Sequence, residues 1–210
     1  MKSVLDINHS ILAQAWHWRG SGIDGRDPDF QPDDLVSQLL MARGVARDDI
    51  ERQRNPTIRN FMPDPSIFQD MENAALRLAQ AVEAGEQITV YGDYDVDGAT
   101  SAALLIRLLR MLGLNAGYYI PDRLMEGYGP SGEALVRLGQ EGSSLIVTVD
   151  CGAMAYEALA SAKEAGIDVI VVDHHKCAAE LPLALALVNP NRLDEDNLAA
   201  AHGHLAAVGV

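Results

Sequence analysis

Five short apolar runs rich in β-branched or aromatic residues, at 88–91, 116–120, 145–149, 169–172 and 184–188, most restrict the folds open to this chain. Between the first four lie segments of helical periodicity at about 99–112, 131–139 and 153–165. A strand that is apolar at nearly every position has to be covered on both faces, and helices of this length are the crossovers that parallel strands need. The expected fold class is therefore α/β, a parallel sheet with helices on both faces. A further helical pattern precedes the first run. Met71, Ala74, Ala75, Leu78 and Val82 recur at helical spacing, and Gly85 follows where a helix would end.

Residues 1–60 have a different character. Gly20, Gly22, Gly25, Pro28 and Pro32 punctuate a polar stretch, after which a short helical pattern begins near Asp33. This segment is expected to be a mainly helical amino-terminal arm, with residues 61–210 forming the α/β domain. Arg43, Arg47, Arg52, Arg54 and Arg59 make the arm the most basic part of the chain. A solvated helix face and a contact with phosphates or another domain are both open for them.

The whole chain is acidic, with 30 Asp and Glu against 16 Lys and Arg and a formal charge of −14. That balance argues against nucleic-acid binding through a broad basic surface. At 48% hydrophobic and 22% charged residues it has the composition of a globular protein rather than a disordered one. The apolar runs fall far short of the roughly 18 residues needed to span a bilayer. Asp6, Asn8 and His9 interrupt what would have to be the apolar stretch of a secretory signal, so a cytoplasmic location without membrane contact is expected. Cys151 and Cys177 are too few for a disulfide framework and are expected to be reduced.

Three polar clusters each follow a strand directly: residues 92–98 with Asp93, Asp95 and Asp97, then Asp150-Cys151-Gly152, then Asp173-His174-His175. In an open parallel sheet ligands bind beyond the carboxyl ends of the strands, so adjacent strands would bring these clusters to one crevice. A single Asp in such a place is ordinarily a helix cap. Five carboxylates and two imidazoles are not accounted for in that way. Like charges as close as those of Asp93, Asp95 and Asp97 are costly unless a cation screens them. Carboxylates with a minority of imidazoles suit Mn²⁺ or Mg²⁺ better than a thiol-rich zinc site. Two such ions roughly 3.5 to 4 Å apart, bridged by a shared carboxylate, would make a phosphoryl-transfer site. A calcium loop of the EF-hand type is excluded, because Gly98 directly follows the third Asp and opens an apolar helix.

Gly127-Tyr128-Gly129-Pro130-Ser131-Gly132 satisfies the glycine pattern of a dinucleotide site, and Asp150 lies 18 residues beyond Gly132. The match lacks its physical context: six residues separate it from the preceding strand, and Pro130 has no N–H for a pyrophosphate. Arg123, in the same stretch, could hold a phosphate or simply pair with Glu126. Ser131 is expected to cap the next helix.

The ordered motifs at residues 90–101, 121–129, 147–152 and 173–175 resemble those of the DHH phosphoesterases, and within that superfamily the single-strand-specific 5′ to 3′ DNA exonucleases of bacteria. The resemblance implies that Asp95, Asp97, Asp150 and His174 are metal ligands, with Asp93 in the same cluster. It places His175 near the scissile phosphate and Asp173 behind the histidine pair, orienting it; Arg123, from its place beyond a strand end, is taken as a further phosphate contact. Tyr91 stands where the pyrophosphatases of the superfamily carry a histidine, which favours the exonuclease branch. Two divalent cations, Mn²⁺ or Mg²⁺, and single-stranded DNA are the implied cofactors and substrate. A RecQ-type helicase and a single-strand-binding protein are the implied partners in recombination and repair. A phosphatase acting on short nucleotides, and a non-catalytic scaffold on the same fold, are the competing readings. Residues 205–210 resemble a segment from the middle of the family's catalytic domain. By that resemblance the domain is truncated, lacks a later aspartate ligand, and the 210 residues alone are expected to be impaired; Asp194, Glu195 and Asp196, in a polar loop, are not expected to replace it.

Overall fold

A computed structural model describes residues 8–15 and 35–210. Asp6, Gly20, Gly22, Gly25, Pro28, Pro32 and Asp33 lie outside the described residues. The chain divides into two compact units, Met1–Met62 and Pro63–Val210.

Within the first unit, short helices α1 (Leu35–Ala42), α2 (Ile50–Arg54) and α3 (Ile58–Phe61) are described. Arginines of the basic stretch are used inside this unit. Arg52 donates to the carbonyl of Asn60 and lies over the Phe61 ring, 4.7 Å from its centre. Arg54 Nη1 donates to Ser37 Oγ at 3.3 Å.

In the second unit α4 (Met71–Ala84) leads into β1 (Ile88–Gly92), α5 (Val96–Met111), β2 (Gly117–Tyr119), α6 (Gly132–Gln140), β3 (Leu145–Val149), α7 (Tyr156–Glu164), β4 (Asp168–Val172), β5 (Ala186–Val188) and α8 (Asn197–Ala200). The strands form one parallel sheet in the order β2-β1-β3-β4-β5. Helices cover both of its faces, as the apolar runs require. Ile88, Val90, Leu145, Val147, Ile170 and Val188 pack under α4 and α5, through Ala74, Ala81, Ala102, Ile106 and Leu109. Tyr91, Ile146, Val169, Val171 and Leu187 pack under α6 and α7, through Leu135, Leu138, Ala158 and Leu159. Fully burying each Val, Leu or Ile contributes roughly 1.5–3 kcal/mol, so alternate faces of the same strands anchor both helical layers.

The chain passes from β1 outward to β2 and then returns to the other side of β1 for β3. That reversal opens a crevice at the carboxyl ends of β1 and β3. At the far edge of the sheet an ion pair between the buried Arg192 and the half-buried Asp70 takes the place of a sixth strand. Asp70 Oδ2 accepts the Leu187 N–H at 3.1 Å, and Arg192 Nη1 donates to the Leu187 carbonyl at 2.6 Å and to Asp70 Oδ2 at 2.8 Å. The edge groups of β5 are thereby closed to further strand pairing.

Among the described residues no helix is long and apolar enough to cross a membrane. Both cysteines are free thiols.

Candidate metal centre

Strand register aligns the site. Gly92 pairs with Val149, Val149 with Val172, and Val172 with Val188, so the residues just beyond them form one row. The row continues the ladder: the N–H groups of Asp93, Asp150 and Asp173 donate to the carbonyls of Val149, Val172 and Val188. Asp93, Asp150, Asp173 and Asn189 thus stand side by side at the strand ends.

The other two acidic residues come from the start of α5. Asp95 is its N-cap and accepts from the N–H groups of Asp97 at 2.8 Å and Gly98 at 3.1 Å. These bonds, that of Gly98 first, hold the Asp95 pKa below the usual carboxylate value. Gly98 is required here, since a Cβ would stand 2.4 Å from the Asp93 carbonyl oxygen. Asp97 is fixed from a distant part of the chain. Its Oδ2 accepts the Ala207 N–H at 2.8 Å and its Oδ1 the Val208 N–H at 2.9 Å.

Asp150 is the centre of the arrangement. One oxygen each of Asp93, Asp95 and Asp150 fit within 4.8 Å of one another, and so do ligand atoms of Asp150, His174 and His175. Asp150 therefore belongs to both groups. Its Oδ1 lies 3.3 Å from His174 Nε2, whose distance to Asp97 Oδ2 is 3.5 Å. Asp150 is 2% exposed, and its Oδ1 has no hydrogen-bond partner among the described residues. Burial, followed by the Asp97 and Asp95 carboxylates, pushes its pKa up to about 7. Its backbone is also unusual for a non-glycine residue, with φ of 60°. An orphaned buried carboxylate oxygen among further carboxylates and two imidazoles fits one or two hard divalent cations.

Asp173 has another role in the geometry. Its Oδ1 accepts from the N–H groups of His174 and His175 and lies 2.7 Å from His175 Nδ1, while Oδ2 accepts from Ala153 N–H. Burial disfavours a charged His175, but the Asp173 hydrogen bond and the surrounding carboxylates outweigh it and raise the His175 pKa. The side chains of Asn189 and Asn191 hold the carbonyls of His175 and His174.

Arg123 lies beside Asp93 and is not paired with Glu126. Its Nη1 is 3.9 Å from Asp93 Oδ1, and its guanidinium sits 5.0 Å from the ring centres of both Tyr94 and Tyr128. Glu126 is engaged elsewhere, with Tyr119 and the Asp122 N–H. Tyr128 Oη is 3.4 Å from the Asp150 carbonyl oxygen and from each His175 ring nitrogen. Ser131 caps α6 through the Ala134 N–H at 3.1 Å. Asp194, Glu195 and Asp196 are held away from the cluster by Arg192, the Gln69 N–H and the start of α8.

Several contributors were not identified from the sequence. Asn189-Pro190-Asn191 follows the fifth apolar run as the other clusters follow theirs, and that placement was a usable signal. Tyr94 and Tyr128 lie inside the quoted motifs, but nothing in spacing brings them to Arg123. The amides of Ala207 and Val208 carry no side-chain signature at all.

The DHH family, N-terminal domain, matches residues 87–210. The chain is 41% identical over 158 residues to the single-stranded-DNA-specific exonuclease RecJ of Bacillus subtilis, covering 75% of this chain and 20% of that protein. A crystal structure of exonuclease RecJ bound to manganese is similar at a TM-score of 0.59 and 37% identity, over 68% of this chain and 35% of that one. A crystal structure of RecJ from Thermus thermophilus in complex with Mn²⁺ is similar at a TM-score of 0.61 and 30% identity, over 83% of this chain and 23% of that one. The chain thus spans between a fifth and about a third of the length of these relatives.

Proposed function

The chain belongs to the DHH family, and from that membership and the geometry above we propose that it carries the metal-dependent active site of a single-strand-specific 5′ to 3′ DNA exonuclease. The observation that carries the reading is Asp150. It is buried, without a hydrogen-bond partner on Oδ1, and common to two groups of potential ligands. Asp93, Asp95 and Asp150 would hold one ion, and Asp97, Asp150 and His174 another, which leaves His175 for the substrate. Bound Mn²⁺ or Mg²⁺ would supply acidified water and charge neutralisation at a phosphodiester.

The chain's own residues do the remaining work. Arg123, between two tyrosine rings, offers a guanidinium to a backbone phosphate. His175, with Nδ1 held by Asp173, presents Nε2 and a raised pKa at the same mouth, where it can bind a phosphate oxygen or give a proton to the leaving oxygen. Asp173 orients both imidazoles and is not itself a ligand in this reading. Tyr91 is fully buried and its hydroxyl donates to the Gly129 carbonyl at 3.1 Å, so that strand position offers no ligand of the pyrophosphatase kind. The acidity of the chain is no obstacle to this reading, since Asp93, Asp95, Asp97, Asp150 and Asp173 cluster where cations are proposed.

By the same resemblance, the reading extends to recombination and repair in the cytoplasm beside a RecQ-type helicase and a single-strand-binding protein. The relatives are roughly two to four times as long. On that ground the 210 residues alone are proposed to hydrolyse DNA weakly.

The test replaces the matching segment of the Bacillus subtilis relative with this chain's residues. The chimera, given Mn²⁺, should shorten 5′-labelled single-stranded DNA from the labelled end to mononucleotides and leave duplex DNA intact. The same chimera with Asp150→Asn should be inactive. Release from the 3′ end, or full activity of the Asp150→Asn chimera, would overturn the proposal.

A further inference from the structure

Between β2 and α6 the chain makes an excursion that the proposed chemistry uses for Arg123 and Tyr128 alone. Its hydrogen bonds converge on Glu126. Glu126 Oε2 accepts from the Tyr119 hydroxyl at 2.6 Å and Oε1 from the Asp122 N–H at 2.9 Å. The Glu126 N–H returns to the Asp122 carbonyl at 2.7 Å, closing the turn. Asp122 Oδ1 accepts from Leu124 N–H at 2.8 Å, inside the same turn.

The outer end of this network is fixed to regular structure. Tyr119 ends β2, and its hydroxyl oxygen accepts from Arg137 Nη2 of α6 at 2.7 Å. The Arg137 guanidinium also lies over the Tyr119 ring at 5.1 Å. Apolar packing offers no substitute for these bonds, because Leu124 and Met125 at the tip are 94% and 83% exposed. A turn with so little buried surface keeps one conformation through its polar contacts.

We propose that Glu126 is a positioning residue: by joining the Asp122 N–H to the Tyr119–Arg137 pair, it holds the turn in the conformation that places the Arg123 guanidinium between Tyr94 and Tyr128 beside Asp93. Removing the carboxylate frees the turn, and Arg123 leaves the two rings. The functional half of the inference rests on the assignment of Arg123 to a substrate phosphate; the geometric half does not.

The first measurement is the arginine side-chain spectrum of the 210-residue chain by NMR, with Arg123→Ala assigning the resonance. Ring currents from Tyr94 and Tyr128 should displace the Arg123 Nε–H and δ-proton signals from their free positions. Glu126→Ala should return them to those positions. Glu126→Gln should restore the displacement, because its amide can accept from Asp122 and donate to Tyr119. Tyr119→Phe removes a single hydroxyl and should give part of the same loss, which covers the case in which Glu126→Ala does not fold. An Arg123 signal displaced in the wild type and unmoved by both substitutions would overturn the proposal, and so would a wild-type signal already at the free position.

The second measurement is binding of single-stranded oligothymidylate with Mn²⁺ present. Glu126→Ala should weaken it about tenfold, the scale of one charge-assisted phosphate contact, and should add nothing when Arg123 is already Ala. Additive losses would contradict action through Arg123. If the wild-type chain binds no oligothymidylate while the spectra behave as described, the phosphate role of Arg123 fails and the positioning role of Glu126 stands.

Discussion

Asp150 and Asp173 stand in adjacent places of one row of strand ends, and the fold treats their carboxylates in opposite ways. Asp173 takes three main-chain N–H groups and lies against an imidazole nitrogen. Asp150, equally buried, keeps an oxygen with no hydrogen-bond partner among the described residues. One acid is consumed by the structure and the other is left for a ligand.

The pH dependence of the metal-free protein follows from Asp150. Its pKa rises from an ordinary 3.8 to about 7, chiefly through burial and then the Asp97 and Asp95 charges. A carboxylate whose folded pKa is raised carries no penalty below its ordinary value, and the penalty grows as pH rises through the folded one. Asp150→Asn should therefore stabilise the metal-free chain at pH 8, by on the order of 2 kcal/mol, and change little at pH 4. Melting in chelator checks this, and Mn²⁺ should raise the wild-type midpoint but not that of the variant. A variant less stable than wild type at pH 8 contradicts the argument.

Asp173→Ala should be costly without touching a ligand. It strands the buried Ala153 N–H and the half-buried N–H groups of His174 and His175, with an expected loss of about 3 kcal/mol in urea unfolding. Asp173→Asn keeps an acceptor oxygen and should fall between the two. Equal stability of the alanine variant and wild type would show that water replaces the carboxylate.

Gly98→Ala tests the close approach of α5 to the first strand end. The new methyl group would meet the Asp93 carbonyl, so Asp93 or the helix start has to move. The expected outcome is a drop in Mn²⁺ affinity of at least about tenfold by calorimetry, since ligand geometry tolerates little displacement. Unchanged affinity would mean that the helix start is free to shift.

Arg192 should matter for stability through the sheet edge. Arg192→Ala leaves the Leu187 carbonyl and the Asp70 carboxylate without their buried partner, at an expected cost of about 3 kcal/mol. Asp70→Asn should cost less, because the amide oxygen still accepts from Leu187 N–H. Chemical unfolding of the two variants, with the order reversed, would refute this account of the edge.

How much of this was legible in the sequence depended on whether a feature is written in side chains. The five strands and their helices are there because burial on both faces needs apolar runs, and Gly85 marked the end of α4 with a φ of 68°. Boundaries moved where local bonds intervene. Asp95 caps α5 so that it begins at Val96 rather than 99, and the turn at Gly152 delays α7 to Tyr156. The convergence of Asp93, Asp150 and Asp173 follows from strand order, which no single segment encodes. Arg123 could not be assigned from spacing, because its neighbours Tyr94 and Tyr128 lie 29 residues before it and 5 after it and meet through the tertiary fold. Backbone donors such as those holding Asp97 are offered by almost any residue type, and composition says nothing about them.

The bonds to Asp97 also impose an order on events. The amides that fix this carboxylate lie 110 and 111 residues later in the chain. As the chain leaves the ribosome, β1, β3 and β4 with their aspartates emerge well before Ala207 and Val208 do. Asp97 then has neither of the donors that orient it, so a nascent chain has crowded acids but an unfinished wall. The orientation of this carboxylate is thus a late property of synthesis, reached only once Ala207 and Val208 have emerged.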